Sequence, residues 1–331
     1  MLTYIVRRLL AAVGLLLVVT LITFWIFYIL PLWAGQTPQS LAAAYVGKQQ
    51  DPLALRAVVD RFGFDKPLFA QYFDYVIGIV HGRTYSDGVS LIHCNAPCFG
   101  YSFKNYEQVW PTLLSRAPVT VSIALGAGVL WLVFGVLSGV ISAVRKGSIA
   151  DRVSMGIALA GVALPVYFVG PLLEALTGRW NTTYVPFLSN PFQWAQHLSI
   201  PWVALAFGYA ALYARMTRAG MLDALNEDFV RTARAKGVRE RKVLYRHALR
   251  SALTPIITIF GMDLGAVLGG AVLLEVTFSL PGLGLLAINS IQQDDFPVVM
   301  GVTLLAAFFI VVANIVVDVF YAVVDPRVRL A

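Results

Sequence analysis

Residues 215–255 read RMTRAGMLDALNEDFVRTARAKGVRERKVLYRHALRSALTP. Between Arg215 and Arg250 this stretch contains ten of the chain's 25 Lys and Arg residues and four acids, so it carries a net charge of +6 in a protein whose total is +7. Of the whole chain, 58% is hydrophobic and only 13% is charged, whereas a soluble domain has about 25% charged residues. The composition therefore indicates a membrane protein whose positive charge is gathered into one loop.

The loop contains start and stop signals for a short helix over residues 227–236. Asn226 can accept a hydrogen bond from a free first-turn amide, and Glu227 and Asp228 place negative charge at the positive end of the helix. Gly237 follows the last helical residue, where a left-handed conformation closes the final turn. A second basic helix is predicted from about residue 239 into the next apolar segment.

The predicted helix has one marked face. Phe229, Thr232, Ala233 and Lys236 fall at i, i+3, i+4 and i+7, so they are predicted to lie together. This face combines one bulky anchor with two small residues. Small residues beside a bulky one allow close approach to another surface, and a basic, lipid-facing loop between two spans is the alternative.

Six segments are apolar enough to cross a bilayer, which requires about 20 residues each. They are residues 9–31, 117–144, 153–175, 198–214, 252–274 and 297–321. The first could instead be a signal peptide, but its apolar run is too long and lacks a small-residue cleavage site before residue 31. We therefore predict an all-α integral membrane protein with about six spans.

The basic residues set the orientation of these spans. Seventeen of the 25 fall on the side that holds both termini and residues 215–250, and the loop between the last two spans has no Lys or Arg. Because cytoplasmic loops carry the excess of basic residues, both termini and the 215–250 stretch are predicted to be cytoplasmic. The positive charge is thus explained by topology, and no nucleic-acid partner is expected.

Several motifs in the loop and near the C-terminus are characteristic. They are Arg231-Thr232-Ala233, Gly237, Arg246-His247-Ala248-Leu249, Pro255, Leu280-Pro281-Gly282 and Asp325-Pro326-Arg327. With these motifs the chain resembles the permease subunits of binding-protein-dependent ABC importers, in particular the oligopeptide, dipeptide and nickel branch. The family pattern begins Glu-Ala-Ala, and the peptide branch commonly has the Arg-Thr-Ala that is found here.

The resemblance implies a type I importer permease with a large external loop between spans one and two. It divides the chain into an N-terminal tip and first span (1–33), an external loop region (34–116) and a core of five spans (117–331) with a cytoplasmic coupling loop at 215–251. It also implies that the loop helix docks on an ATPase subunit. The residues expected at that contact are Glu227, Asp228, Phe229, Arg231, Thr232, Ala233, Lys236 and Gly237.

The same resemblance implies the function and the partners. The chain has no Gly-x4-Gly-Lys-Ser/Thr loop, so ATP and Mg are expected to be used by partner subunits, with no cofactor bound here. The expected partners are a second homologous permease, two ATPase subunits, an external solute-binding protein and the lipid bilayer of a prokaryotic plasma or inner membrane. The implied function is import of short peptides or similar small solutes. Import of nickel chelates and stand-alone secondary transport are the alternatives; an enzyme is not expected, because the four histidines are scattered.

The fifth predicted span contains further candidates. Gly261, Gly265 and Gly269 recur every four residues and form a flat stripe for helix packing, either within the subunit or against a partner permease. Asp263 lies about 200° around the helix from Gly261. Because ionisable groups at such depth are costly, Asp263 is predicted either to line the translocation pathway or to pair within the protein.

Both cysteines of the chain lie in the external loop, in His93-Cys94-Asn95-Ala96-Pro97-Cys98. Cys94 and Cys98 could form a disulfide, part of a metal site with His93, or two unrelated thiols. An external, oxidising location favours the disulfide.

Overall fold

The computed structural model describes residues 2–35, 37, 39, 56, 59, 66–86, 91–102, 104–178 and 183–324. These residues are mostly helical, with four short strands. In chain order the elements are α1 (Leu2–Phe24), a π-helical turn (Trp25–Ile29), α2 (Leu30–Trp33), α3 (Leu68–His81), β1 (Arg83–Ser86), β2 (Leu91–Cys94), β3 (Tyr101–Ser102), β4 (Glu107–Gln108), α4 (Val109–Val144), α5 (Ile149–Ala163), α6 (Val166–Thr177), α7 (Pro191–Asn226), α8 (Asp228–Ala235), α9 (Glu240–Lys242), a second π-helical turn (Val243–Ala248), α10 (Leu249–Leu268), α11 (Val272–Thr277), α12 (Leu283–Gln292) and α13 (Phe296–Val324).

The chain forms two compact units. One comprises Met1–Pro118 and Gly282–Val311, and the other comprises Val119–Pro281 and Val312–Ala331. The predicted division into 1–33, 34–116 and 117–331 was drawn at the membrane rather than by contacts, and it stays a prediction.

The first unit contains the two hairpins. β1 pairs with β2 and β3 with β4, both antiparallel, with Arg83 opposite Cys94 and Tyr101 opposite Gln108. Its main cluster of buried side chains is built from α4, α12 and α13 and consists of Val109, Leu113, Leu283, Val298, Val302 and Leu305. The stretch after α3 is thus partly built of short strands.

The second unit is organised around α7, which packs on α5, α6, α8 and α10. Its core contains Trp131 and Tyr213, both fully buried. Gly135 of α4 lets the helices approach closely, because a Cβ at this position would lie 2.6 Å from Cβ of Tyr213. α4 and α7 are therefore in backbone contact where lipid supplies no hydrophobic drive for packing.

Five helices are long and apolar enough to cross a membrane. They are Val6–Trp33, Val109–Val144, Pro191–Asn226, Glu240–Leu268 and Phe296–Val317. A bent pair, Ile149–Ala163 with Val166–Thr177, makes six if it counts as one span. This agrees with the prediction of about six spans in an all-α membrane protein.

The third predicted span, 153–175, is not one straight helix. The chain turns by 113° between α5 and α6, and Leu164 has an extended conformation with φ −95° and ψ 119°. The cause is Pro165, whose ring disfavours the helical conformation of the residue before it.

Two other spans differ from their predicted bounds. The helix predicted over 252–274 ends at Leu268, because Gly270 has a φ of +147° that breaks it. The span predicted over 198–214 is the middle of the 36-residue α7. Asn190 caps its start by accepting a hydrogen bond from the amide of Gln193 at 3.1 Å, and the helix continues through Pro201.

Candidate coupling site

The basic loop folds as a short helix joined directly to the end of a long one. α7 ends at Asn226, and Glu227 alone separates it from α8, Asp228–Ala235. Glu227, with φ −71° and ψ 151°, occupies the N-cap position and makes no side-chain cap bond. Asn226 was predicted to be the cap; instead its Nδ2 donates to the carbonyl of Leu222 at 3.0 Å, because it still belongs to α7. With a single extended residue between them, the two helices are closely linked.

The C-terminal end of α8 agrees with the sequence signals. Gly237 has a φ of +74°. Its amide donates to the carbonyl of Arg234 at 2.9 Å, and the amide of Val238 donates to that of Ala233 at 3.2 Å. These two bonds form a Schellman motif, which satisfies carbonyls that the helix end would leave free. The helix is two residues shorter than the predicted 227–236, since Glu227 and Lys236 are its caps.

One face of α8 packs against its own chain. Val230 is fully buried and Ala233 nearly so, and they contact Val243 of the second π-helical turn together with Leu225 and Val238. The sequence placed Ala233 on the same outward face as Phe229. The structure instead buries it beside Val230, because only an apolar strip at i and i+3 can hold so polar a helix to the protein.

The opposite face is open. The Phe229 side chain is 43% exposed, although it is one of the largest apolar groups in the loop. Thr232 and Lys236 lie exposed on the same face, and the other exposed residues of the predicted contact are Glu227, Asp228, Arg231 and Gly237. Arg231 Nη1 lies 3.4 Å from Asp228 Oδ1, and such an exposed pair contributes little stability. The result is a polar surface with one aromatic side chain near its centre.

A paired contact joins the two sides of Gly237. Arg234 Nε and Nη2 donate to the two carboxylate oxygens of Glu240 at 3.1 and 2.6 Å. The hydrogen bonds that Arg234 donates to the Glu240 carboxylate raise the pKa of Arg234, and the bidentate geometry fixes direction as well as distance. The pair thus fixes α8 relative to α9 across the four residues 236–239 that separate them, one of which is Gly237.

The residues singled out in the fifth predicted span lie on α10. Tyr213 Oη donates to Asp263 Oδ2 at 2.8 Å, so Asp263 has a partner on α7. Gly261 packs within the chain, since a Cβ there would lie 1.7 Å from Val317 Cγ2 of α13. Gly265 is buried, whereas Gly269 is the C-cap of the helix rather than an interior packing position.

The two cysteines are joined in a disulfide. The Cα atoms of Cys94 and Cys98 are 5.7 Å apart, and both side chains are buried beside Tyr85 and Tyr101. His93 Nδ1 instead lies 2.9 Å from the hydroxyl of Thr84 on the paired strand. Within the described residues, no group of three His, Cys, Asp or Glu side chains could hold a metal ion.

Sequence reasoning missed two features of this site. The i, i+3 spacing of the apolar residues Val230 and Ala233 indicates the buried face of the helix, but the prediction grouped Ala233 with Phe229 instead. The Arg234 and Glu240 pair spans six residues and a turn, so no helical spacing rule could have indicated it.

Comparison with known proteins places the chain in a family. Residues 135–330 match the family described as binding-protein-dependent transport system inner membrane component. Residues 1–124 match the N-terminal region of binding-protein-dependent transport system membrane components.

Several full-length relatives are known by name. The chain is 35% identical to the di/tripeptide transport system permease protein DppB of Pseudomonas aeruginosa and 34% identical to the dipeptide transport system permease protein DppB of Escherichia coli. It is 33% identical to the glutathione transport system permease protein GsiC of Escherichia coli. Each alignment covers 99% of both chains.

A solved structure shares the fold. The MetNI methionine ABC transporter in an inward-facing conformation matches with a TM-score of 0.50 and 17% identity, covering 65% of this chain and 97% of that one. Together with the membrane-spanning helices, these matches identify a multi-pass inner-membrane transporter subunit rather than an enzyme. The chain belongs to the family of binding-protein-dependent transport system inner membrane components, and it is a permease subunit.

Proposed function

We propose that the chain is one of two permease subunits of an ABC importer that carries short peptides across the inner membrane. The named relatives support the substrate class, because two are permeases for dipeptides or tripeptides and the third is a permease for glutathione, itself a short peptide. Nickel chelates and other small solutes fit the family but have no support from these relatives.

The exposed Phe229 on α8 is the observation that carries the mechanism. α8 is short, packed on its inner face and capped at its C-terminal end. Its position is therefore fixed, and Phe229 is exposed at a defined place on its outer face. Buried aromatic anchors commonly dominate the energy of protein contacts. We assign the outer face of α8 as the surface that docks into a groove of an ATPase subunit.

The orientation follows from charge. Seventeen of the 25 basic residues fall on the side of the loop and the termini, and this excess favours the cytoplasm for that side. The binding protein would then deliver solute to the opposite face, where the loop region 34–116 is predicted to lie. Two ATPase subunits would bind ATP and Mg, with no cofactor held by this chain.

In the proposed cycle, closure of the ATPase subunits moves α8 and with it the end of α7. Tyr213 of α7 and Asp263 of α10 are joined by a hydrogen bond that a change in the tilt of α7 would strain. We keep Asp263 as a candidate pathway residue, because a membrane-embedded carboxylate most often faces protein or a watery cavity.

The test is reconstitution of the chain with its native partner permease, ATPase subunits and binding protein in lipid vesicles. Dialanine should stimulate ATP hydrolysis and accumulate inside vesicles that are loaded so that ATP reaches only the ATPase face. The purified chain alone should not hydrolyse ATP. Proton-driven dialanine transport by this chain alone would contradict the proposal.

A further inference from the structure

A buried carboxylate ties three helices together close to the coupling site. Asp151 lies in the first turn of α5 and its side chain is only 7% exposed. Its Oδ1 accepts hydrogen bonds from Ser142 Oγ on α4 and from Arg218 Nε on α7, the latter at 2.8 Å. Its Oδ2 accepts from the amide of Gly147 at 2.8 Å and from Arg218 Nη2 at 3.0 Å. We name these four residues the Asp151 clamp.

The clamp uses the full capacity of its carboxylate. An ionised carboxylate offers about four acceptor positions, and the four donors come from α4, the α4–α5 turn and α7. The Arg218 fork is bidentate, which fixes the orientation of α7 about its own axis as well as its distance. A lysine would supply the charge but not this geometry.

Close helix packing surrounds the clamp. A Cβ on Gly139 of α4 would lie 2.5 Å from Cβ of Thr217, the residue before Arg218. A Cβ on Gly161 of α5 would lie 2.8 Å from the backbone carbonyl of Phe207. α7 therefore lies against the backbones of both α4 and α5, and the clamp fastens this packed group at the end nearest the loop.

The clamp also lies close to α8 along the chain. Arg218 precedes Asn226, the last residue of α7, by eight residues, which is about 12 Å at the helical rise. Met221 and Ala224, between them, are buried against residues of α4, of the second π-helical turn and of α10. No flexible segment separates the clamp from α8, so a displacement of α8 acts on α7 at the clamp.

We propose that Asp151 and Arg218 are positioning residues for coupling: they make α4, α5 and α7 respond as one body when α8 is displaced. This inference rests on the proposed function, since it takes α8 as the site where the ATPase acts. Without the two hydrogen bonds from Arg218 to Asp151, α7 could rotate or slide along its glycine contacts with α4 and α5. A displacement of α8 would then move α7 alone and would not reach the rest of the permease.

The first measurement is the ratio of dialanine uptake to ATP hydrolysis in reconstituted vesicles, at equal amounts of inserted complex. Arg218→Ala and Asp151→Asn should lower this ratio roughly tenfold, within the range usual for energetic coupling between sites. Arg218→Lys should give an uptake-to-hydrolysis ratio between those of these two variants and that of the wild type. Arg152→Ala is the matched control, because Arg152 is the exposed neighbour of Asp151 and lies outside the clamp; it should keep the wild-type ratio.

A second measurement separates coupling from mere stability. Spin labels are placed on cysteines at Ile149, which is 80% exposed on α5, and at Asp223, which is exposed on the last turns of α7. The natural cysteines form a disulfide and do not react. In the wild type the distance between the labels should be the same in the nucleotide-free and the ATP-trapped complex, whereas in Arg218→Ala it should differ between the two states.

The outcomes distinguish this proposal from the proposed function. A wild-type uptake ratio in Arg218→Ala, or a label distance that already changes with ATP in the wild type, would overturn the clamp. Absence of dialanine-stimulated hydrolysis in the wild-type complex would count against the proposed function, while the label distances would still test the clamp. A variant that only lowers the melting temperature and keeps the wild-type ratio and distances would show a purely structural role and overturn the proposal.

Discussion

At the scale of single residues, Phe229 makes the clearest prediction. Phe229 is 43% exposed on α8, while Val230 beside it is fully buried. Substitution of Phe229 therefore tests docking, and substitution of Val230 tests the packing of the helix on its own chain. Phe229→Ala should weaken association with the ATPase subunits at least about tenfold, which corresponds to about 1.4 kcal/mol. The measurement is the affinity between detergent-purified permease pair and ATPase subunits.

Two further variants serve as controls. Leu188→Ala removes an apolar side chain that is 95% exposed outside the loop, and it should leave the affinity unchanged. Val230→Ala removes part of the base of α8 and should lower the stability of the loop as well as the affinity. Wild-type affinity in Phe229→Ala would remove α8 from the docking surface.

Only some features of α8 could be predicted from its sequence. Gly237, with the basic residues before it, indicated the end of α8, because the left-handed cap is a local property of a few neighbouring residues. The burial of Ala233 and the role of Asn226 were mispredicted, since both depend on what lies beneath the helix. Tertiary contacts, not spacing, decide which side of so short and polar a helix faces inward.

At the scale of elements, the connection between α8 and α9 is set by Gly237 and by the Arg234–Glu240 pair. Nothing lies within 4 Å of a Cβ built at Gly237, so a side chain there meets no clash. The cost of a substitution comes only from the backbone φ of +74°.

Gly237→Val should therefore uncouple hydrolysis from uptake through a change in the angle between α8 and α9. A left-handed conformation costs an L-residue about 1–2 kcal/mol, and a β-branched side chain suffers most. Gly237→Asn should keep most of the coupling, because asparagine tolerates this conformation. The check is dialanine uptake per ATP hydrolysed in reconstituted vesicles.

Gly14 provides the matched control for the same substitution. It also has open space around its Cβ position, and it lies in the interior of α1 without a positive φ. Gly14→Val should retain the wild-type ratio. Equal ratios in Gly237→Val and Gly14→Val would show that the left-handed cap plays no part in coupling.

Element boundaries were predicted less well than element existence. All six apolar segments correspond to helices, because a run of about 20 apolar residues has few other solutions in a bilayer. The 113° turn between α5 and α6 was missed, although Pro165 was visible, because proline alone does not distinguish a kink from a break. The Asp151 clamp was missed because Asp151 and Arg218 are 67 residues apart in sequence.

At the scale of the whole molecule, the orientation in the membrane is the prediction most open to a direct test. The only two cysteines of the chain are joined in a disulfide, so an introduced cysteine reports without background. A cysteine at Arg241 should react with a membrane-impermeant maleimide only after the membrane is permeabilised. The readout is the labelled fraction by gel shift in spheroplasts.

A cysteine at Phe69, which is 75% exposed on α3, is the opposite control and should be labelled without permeabilisation. Labelling of Arg241→Cys in sealed spheroplasts would reverse the proposed orientation. It would also place α8 on the wrong side for an ATPase that uses cytoplasmic ATP.

The length of α7 has a mechanical consequence. Its 36 residues extend about 54 Å at the standard rise, against a hydrocarbon core of about 30 Å. A rod longer than the layer it crosses works as a lever, and because the Asp151 clamp joins α7 to α4 and α5, the three helices turn together with α8 at one tip. At the standard rise each half of α7 is about 27 Å long, so a tilt of about 5° about its middle moves each end by about 2 Å, and a stroke at one membrane face is delivered to the other.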